Sequence, residues 1–479
     1  MKRLSALIDT PVAGDPEIAG VTADSRQVRP GWLFAALPGA GADGRAFIPQ
    51  ALANGAAAII AANDTDELAA PLIRVADPRR TYALAAARFW GVQPRVCVAV
   101  TGTNGKTSVA AFCRQIFQRL GHEAASMGTL GVRHGETQLT PPGLTTPDAA
   151  DAARLLAELS GRGVTHLALE ASSHGIEQRR LDGVEIAAAG FTNLTQDHLD
   201  YHGDMDAYRT AKLRLFEVLL PHGRPAVLNA DSPEFGRFAH AARAAGHEVM
   251  SVGEAGRTLR LLQRSPTGEG QRLLIEANGR QFDAELPLAG GFQADNALVA
   301  AGLCIAAGEA IQPVMEALES LEGAPGRLQR VAGEGRGEVY VDYAHTPDGL
   351  RTALAALRPH ARGRLLVVFG AGGDRDRAKR PLMGAAAQQG ADLAIVTDDN
   401  PRTERPEAIR AEVLAGAPGA LEIGDRRRAI REAVAMLRDG DVLVIAGKGH
   451  EQGQTVGGET LPFDDVSEAL AALRELAHV

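Results

Sequence analysis

The segment "VAVTGTNGKTS" (98–108) runs a short apolar stretch into Gly102, Gly105, Lys106 and Thr107, and the amphipathic "TSVAAFCRQIFQRLG" follows at once. Glycines at such a turn let successive backbone N–H groups close on phosphate oxygens. A lysine there adds a point charge, and a threonine hydroxyl can ligate Mg²⁺. The chemistry indicated is triphosphate binding. The pattern departs from GxxxxGK[ST] because Val100 stands at the first glycine position, which makes the loop a shortened variant. The alternative is a glycine turn of no function. Two further residues could serve the same centre. Glu170 ends the apolar "HLAL" and, at a sheet edge facing the loop, could contact Mg²⁺; His198 in "NLTQDHLDYHG" would join it only beside a metal. Taken alone, such a glutamate is usually a solvated boundary residue, and a histidine at a strand end, as His198 reads here, is often merely hydrogen-bonded. Farther along, "AIVTDDNPRTERPEAIR" (394–410) breaks off at Asp398-Asp399-Asn400-Pro401-Arg402, delivering both signs of charge to one loop. A surface turn capped by Asp and Pro would have the same residues.

Strands alternating with helices must position these side chains. Residues 1 to about 90 mix short strands with alanine-rich helical stretches, as in "GWLFAALPG" and "AFIPQALANGAAAIIAA". After "WGVQPR", the β-like "VCVAV" (96–100) opens a second region. It continues through "VTHLALEASSH" and the helical "ADNALVAAGLCIAAG" to "EGAPGRLQRV". A third region places "EVYVDYAH", "RLLVVFGAGGDRD", "LAIVTDDNP" and "DVLVIAGKGHE" between helical segments, the pattern of a doubly wound sheet with its sites at strand C-termini. The expected fold is therefore α/β in three domains. These are a small N-terminal domain (1–91), a central P-loop-type ATPase domain (92–325) and a C-terminal doubly wound, Rossmann-like domain (326–479).

Composition excludes several function classes. At 479 residues and 45% hydrophobic content, the chain exceeds what one core holds. A net charge of −9 argues against a broad electrostatic grip on nucleic acid, while leaving room for a local anion pocket. Cys97, Cys113 and Cys304 form no CxxC or metal-finger pattern and read as core thiols of a reducing compartment. "MKRLSALIDTPV" has no signal-peptide character, and no apolar run reaches the roughly 18 residues of a membrane span. The expectation is a cytoplasmic monomer without membrane insertion.

"GTNGKTS", "EASSHG", "NLTQDHLDYHG", "AYRTAKLRLF", "DNALVAA", "PGRLQRV", "VDYAHTP", "FGAGGDRD", "TDDNPR" and "GKGHEQ" occur in this order. With them the chain resembles the Mur ligases over nearly its whole length, and within that family the members that add the third residue of the peptidoglycan stem peptide. "TADSRQVRPGWLFAALPG" and "GADGRAFI" match the family's uridine-binding pattern. The resemblance implies ATP-driven amide formation. The γ-phosphate passes to the free carboxylate of UDP-MurNAc-L-Ala-D-Glu, and the amine of meso-2,6-diaminopimelate then displaces phosphate through a tetrahedral intermediate. Every intermediate is anionic, which accounts for the accumulated cations and N–H donors.

Residue roles follow from the same resemblance. Gly102, Thr103, Asn104, Gly105, Lys106, Thr107 and Ser108 would hold the phosphates, with Asn296, Arg327 and Asp342 as further ATP contacts. Thr107 and Glu170 would hold one Mg²⁺ and His198 a second. Lys212, otherwise an ordinary exposed helical lysine, matches a lysine carbamylated by CO₂, a carboxylate-like group that helps place Mg²⁺. Forming it needs a neutral amine, so burial must lower the pKa from about 10.4. Lys106, Lys212 and His198 are thus the catalytic candidates. Ser25, Thr145, Thr146, Ser172, Gln178 and Arg180 would contact the UDP-substrate. Leu144 departs from a polar residue found in some relatives. Arg375, Asp399, Asn400, Pro401, Arg402, Gly447 and Glu451 would form the amino-acid pocket, which must meet a zwitterionic distal end with both charge signs. Two alternatives remain: a folylpolyglutamate-synthase-like ligase, against which "TDDNPR" and "GKGHE" argue, and a P-loop switch or motor that hydrolyses ATP without forming a bond.

Overall fold

A computed structural model describes residues 1–9, 14–39, 43–68, 70–268, 270–332 and 337–477. The chain divides into two compact units, Met1–Arg260 with Leu298–Ala317, and Leu261–Ala297 with Leu318–Val479.

Besides the short antiparallel pair Lys2–Arg3/Glu17–Ile18, the first unit carries a four-stranded sheet and strands of a larger one. Gly20–Thr22, Trp32–Ala35, Ala56–Ala62 and Leu72–Val75 pair in that order, all parallel. The helix Pro78–Trp90 follows. Asp77 caps its N-terminus, proline occupies its first turn, and Gly91 ends it at φ +75°. In the larger sheet, Val96–Thr101 lies between His166–Glu170 and Ala188–Phe191, and Ala124–Gly128, Ala226–Asn229 and Val249–Gly253 extend the parallel array. A strand flanked and covered on both faces must be apolar throughout, so "VCVAV" reads as an unbroken run. Cys97, Val98, Ala99 and Val100 are buried accordingly. Burial pushes the Cys97 thiol up to about 12, as befits an unreactive core thiol; Cys113 and Cys304 are also free and buried.

The second unit carries the hairpin Gln271–Ala277/Arg280–Leu286 and a six-stranded sheet. Its strands are Gln329–Ala332, Glu338–Asp342, Val442–Ala446, Leu365–Phe369, Leu393–Val396 and Leu421–Glu422, parallel except for the antiparallel first. Strand alternation divides its side chains between two cores. Tyr340, Val367 and Phe369 pack with Leu350, Leu354 and Met383 of the helices Pro347–Leu357 and Lys379–Gly390. Val339, Val341, Leu366 and Val368 pack with Ile430, Val434 and Ala469 of Arg426–Ala435 and Asp465–Ala477. This is the doubly wound α/β arrangement expected from the sequence.

Two local expectations are corrected. Glu170 is not at a sheet edge. Its strand is paired on both sides, and the residue is only 3% exposed. Nor does His198 end a strand. The strand Ala188–Phe191 stops well before it, and His198 precedes the short helix Leu199–His202 in a left-handed conformation, φ +53°. Among the described residues no helix is long and apolar enough to cross a membrane.

Candidate active site

In the first unit, the phosphate loop joins Val96–Thr101 to the helix Lys106–Arg119. The segment after the neighbouring strand ties it down. Thr103 N donates to Asn193 O (2.9 Å), Asn104 N to Asn193 Oδ1 (3.0 Å), and Thr192 Oγ1 to Asn104 O (2.6 Å). A Cβ at Gly102 would overlap the Thr192 hydroxyl, so glycine is required there by close approach. Ser108 is buried in the first turn of the helix.

The predicted carboxylate does meet the loop. Thr107 Oγ1 donates to Glu170 Oε2 (3.0 Å) and Thr129 N to Glu170 Oε1 (2.9 Å). A Cβ at Gly128 would strike the same carboxylate. Five of the six proposed UDP-substrate residues continue from this point. Thr145 Oγ1 bonds Thr129 Oγ1 (2.9 Å), Thr146 Oγ1 donates to Glu170 O (2.9 Å), and Ser172 N donates to Thr146 Oγ1 (3.1 Å). Arg180 donates to Thr146 O and Gln178 Oε1, both at 2.7 Å. Ser25 stands apart in the N-terminal sheet region, its hydroxyl on Gln50 Oε1 (2.7 Å), and Leu144 is 64% exposed.

Lys212 is the notable case. It lies on the helix Met205–Arg214, is 1% exposed, and donates from Nζ to Gly102 O at 2.8 Å. Lys106 Nζ donates to the same oxygen, also at 2.8 Å, and to Thr103 O (2.8 Å). Two ammonium groups are thus within two hydrogen-bond lengths of each other, one of them out of water. Burial first, and Lys106's charge second, hold Lys212 well below the ordinary lysine pKa. Of the two, Lys212 is the one that burial and its neighbour's charge both push towards the neutral amine. Tyr208 links it to His198: its ring lies 4.4 Å from Lys212 Nζ and 6.1 Å from the His198 ring, and its hydroxyl is 3.2 Å from Thr103 Oγ1. His198 also sits 5.0 Å from His174 and 3.4 Å from Asp197. Tyr208, Thr129 and Asn193 escaped the sequence reading. Tyr208 alone left a signal, one helical turn before Lys212.

In the second unit the remaining candidates come from the start of the helix Gly291–Ala306, the turn before Gln329–Ala332, and the C-terminal ends of parallel strands with the loops after them. Asn296 Nδ2 donates to Gln293 Oε1 (3.2 Å), Gln293 Nε2 to Arg327 O (3.1 Å), and Leu328 N to Asp342 Oδ2 (2.7 Å), so Asn296, Arg327 and Asp342 share one network. The Arg327 guanidinium lies 4.7 Å over the Tyr343 ring. The DDNPR loop divides its labour. Asp398 turns to Arg410 (2.5 Å) and is structural. Asp399 is buried, and a Cβ on Gly447 (φ +118°) would come within 2.6 Å of its Oδ2. Asn400 Nδ2 donates to Glu451 Oε2 (2.9 Å). The Pro401 carbonyl approaches so closely that only glycine fits at 373. Arg402 adopts φ +54°, is pinned by its N–H to Thr455 O (3.0 Å), and anchors Nη1 on Gly373 O (2.6 Å). Arg375 is exposed on the neighbouring loop. The sequence reading missed Lys448. This fully buried cation donates to Asn400 Oδ1 (3.0 Å) and lies 3.5 Å from Glu451 and 3.9 Å from Asp399. Its signal was the lysine of "GKGHE" at a strand C-terminus.

Layered parallel α/β units, a glycine-rich loop opening a helix beside a buried carboxylate, and a buried lysine on that loop's own carbonyl define an ATP-dependent, P-loop-type enzyme. The Mur ligase middle domain matches residues 100–304, the Mur ligase glutamate ligase domain 326–449, and the Mur ligase family catalytic domain 17–90. The UDP-N-acetylmuramoyl-L-alanyl-D-glutamate--2,6-diaminopimelate ligase of Caulobacter vibrioides is 66% identical, over 98% of this chain and 99% of its own length. The protein of that name from Mesorhizobium japonicum is 54% identical, over 98% of each chain. A solved structure of a ligase of this name superposes with a TM-score of 0.75 at 36% identity, covering 96% of each chain. The chain belongs to the Mur ligase family.

Proposed function

We propose that this chain is the ATP-dependent, ADP-forming ligase that adds meso-2,6-diaminopimelate to the D-glutamate of UDP-MurNAc-L-Ala-D-Glu in peptidoglycan precursor synthesis, acting in the cytoplasm as a monomer. Its full-length similarity to ligases of that name supports the reaction. The observation that carries the site assignment is the single carbonyl shared by Lys106 and Lys212. The family matches accord with a functional division into 1–91, 92–325 and 326–479.

The loop from Gly102 to Ser108 grips the phosphates, Lys106 neutralising their charge, with Asn296, Arg327 and Asp342 as further ATP contacts. Mg²⁺ suits the hard oxygen donors of Thr107 and Glu170, joined by a carbamate on Lys212, with His198 serving a second ion. When bound it would neutralise charge on the transferred phosphoryl group. A neutral, buried Lys212 amine is the form that takes up CO₂, and Tyr208 packs against it. Thr145, Thr146, Ser172, Gln178 and Arg180, with Ser25, orient the dipeptide substrate so that its free carboxylate meets the γ-phosphate.

For the incoming amino acid, the Nε–Nη2 edge of Arg402 takes the distal carboxylate in a fork. Asn400 adds a hydrogen bond, Pro401 stiffens the loop, and Glu451 accepts from the distal ammonium, with Arg375, Asp399 and Gly447 completing the pocket. L-Lysine has the amine but no distal carboxylate, so Arg402 would remain desolvated without its partner. The specificity constant should favour meso-diaminopimelate over L-lysine by about 10²-fold or more, and Arg402→Ala should erase most of that preference. Equal use of both amino acids by the wild type, or full preference in the variant, would refute the pocket. Lys448→Met should raise KM for the amino acid with little change in KM for ATP, because the hydrogen bond of Lys448 to Asn400 and its ion pair with Glu451 hold two residues of the amino-acid pocket. A selective rise in KM for ATP instead would show that Lys448 serves another purpose. The overall assignment is tested by supplying UDP-MurNAc-dipeptide, ATP and a panel of amino acids. ADP release independent of both co-substrates would favour a hydrolytic switch.

A further inference from the structure

We propose that His122, His166 and Glu309 form a binding site for a zinc-class divalent cation at the end of the central sheet remote from the phosphate loop. Glu309 Oε1 lies 2.9 Å from His122 Nε2 and 3.7 Å from His166 Nε2, and the three candidate ligand atoms all fall within 4.8 Å of one another. Three segments far apart in sequence supply them: the turn after the helix Lys106–Arg119, the first residue of the strand His166–Glu170, and the residue two before the helix Ile311–Ala317. His166 and Glu170 stand at opposite ends of one five-residue strand. At about 3.3 Å per residue the cluster is roughly 13 Å from the catalytic carboxylate.

The surroundings suit a cation that prefers nitrogen. The His166 side chain is 2% exposed, and its Nδ1 is hydrogen-bonded to Thr165 Oγ1 (2.9 Å), which directs Nε2 towards the carboxylate. Such an outer hydrogen bond is what orients a metal-binding imidazole. Phe117 packs 4.6 Å from the His166 ring, and burial keeps that ring neutral, its pKa pushed down to about 4. His122 is more exposed (28%) and follows Gly121, whose φ is +87°. The two imidazoles are stacked at 3.9 Å with 29° between their planes, so His122 must turn out of the stack to bring its lone pair onto a shared ion. Two imidazoles and one carboxylate match Zn²⁺ or Co²⁺ and not Mg²⁺, with a water completing a tetrahedron on the exposed side. The ion would clasp the far end of the helix that begins at Lys106.

The experiment uses the chelator-treated full chain with Mg-ATP present, titrated with Co²⁺ and then Zn²⁺. One Co²⁺ per chain should give the intense visible d–d absorption of a tetrahedral site, displaceable by Zn²⁺, and Zn²⁺ should raise the thermal midpoint by several degrees. His122→Ala and Glu309→Gln should each weaken binding by about tenfold or more. His134→Ala, altering the nearby exposed His134–Glu123 pair (2.9 Å), should leave it intact. Three results would overturn the proposal: absence of the tetrahedral spectrum, unchanged affinity in Glu309→Gln, or binding lost only in His198→Ala. The first would leave a hydrogen-bonded, stacked histidine pair of purely structural meaning, and the last would place the ion in the active site.

Discussion

Lys212→Ala is expected to lower the ligation rate by at least about 10²–10³-fold while leaving the fold intact, and acetate or formate should restore part of the activity. The case rests on electrostatics. Lys212 Nζ is buried and shares Gly102 O with Lys106 Nζ, so a charged Lys212 would face both desolvation and a like charge. A lysine serving only as a cation would be poorly placed there. A neutral amine that captures CO₂ becomes an anion, converting repulsion by Lys106 into attraction. The small cavity left by alanine can admit a free carboxylate in the carbamate's stead. ADP formation dependent on both co-substrates, measured with and without acetate, checks this, with circular dichroism monitoring the fold. A fully active alanine variant would sink the carbamate assignment. Because carbamylation consumes the unprotonated amine, activity should also rise with added bicarbonate in CO₂-depleted buffer and fall as acid protonates Lys212.

Lys106→Ala should abolish detectable ligation, a loss of about 10³-fold or more, because no other side chain in the loop supplies a cation to the phosphates. Its Nζ donates within its own turn, to Gly102 O and Thr103 O, and the helix that follows is anchored by Val109, Phe112, Cys113, Ile116 and Phe117. Folding should therefore survive. The variant also removes the charge that helps depress Lys212, so the Lys212 pKa should rise even as activity disappears. Near-normal ADP formation by the folded variant would rule out the phosphate-loop assignment.

Much of this was legible in the sequence because local rules sufficed. An apolar run followed by Gly102, Gly105, Lys106 and Thr107 specifies strand, turn and helix from backbone sterics and periodicity alone. The alternating strands and helices of residues 338–446 likewise implied a parallel sheet with both faces covered, and the two separate cores bear this out. Ordered motifs then carried residue roles that no single residue could. Tertiary structure decided what depends on neighbours distant in the chain. Glu170 ends an apolar run, and nothing within that run says that strands flank it on both sides or that Thr107, 63 residues earlier, donates to it. His198 was taken for a strand-end residue, yet it occupies a left-handed turn whose shape is set by the segment around it. In the opening pair of DDNPR, the sequence cannot distinguish the acid committed to Arg410 from the one enclosed beside Gly447. Lys212 makes the point most sharply. Its own helix is polar and would leave a lysine in water, but packing brings it 110 residues back onto Gly102 O, where desolvation and Lys106 lower its pKa. Burial and charge proximity are properties of the folded chain, because only folding excludes water and brings distant groups within a few ångströms.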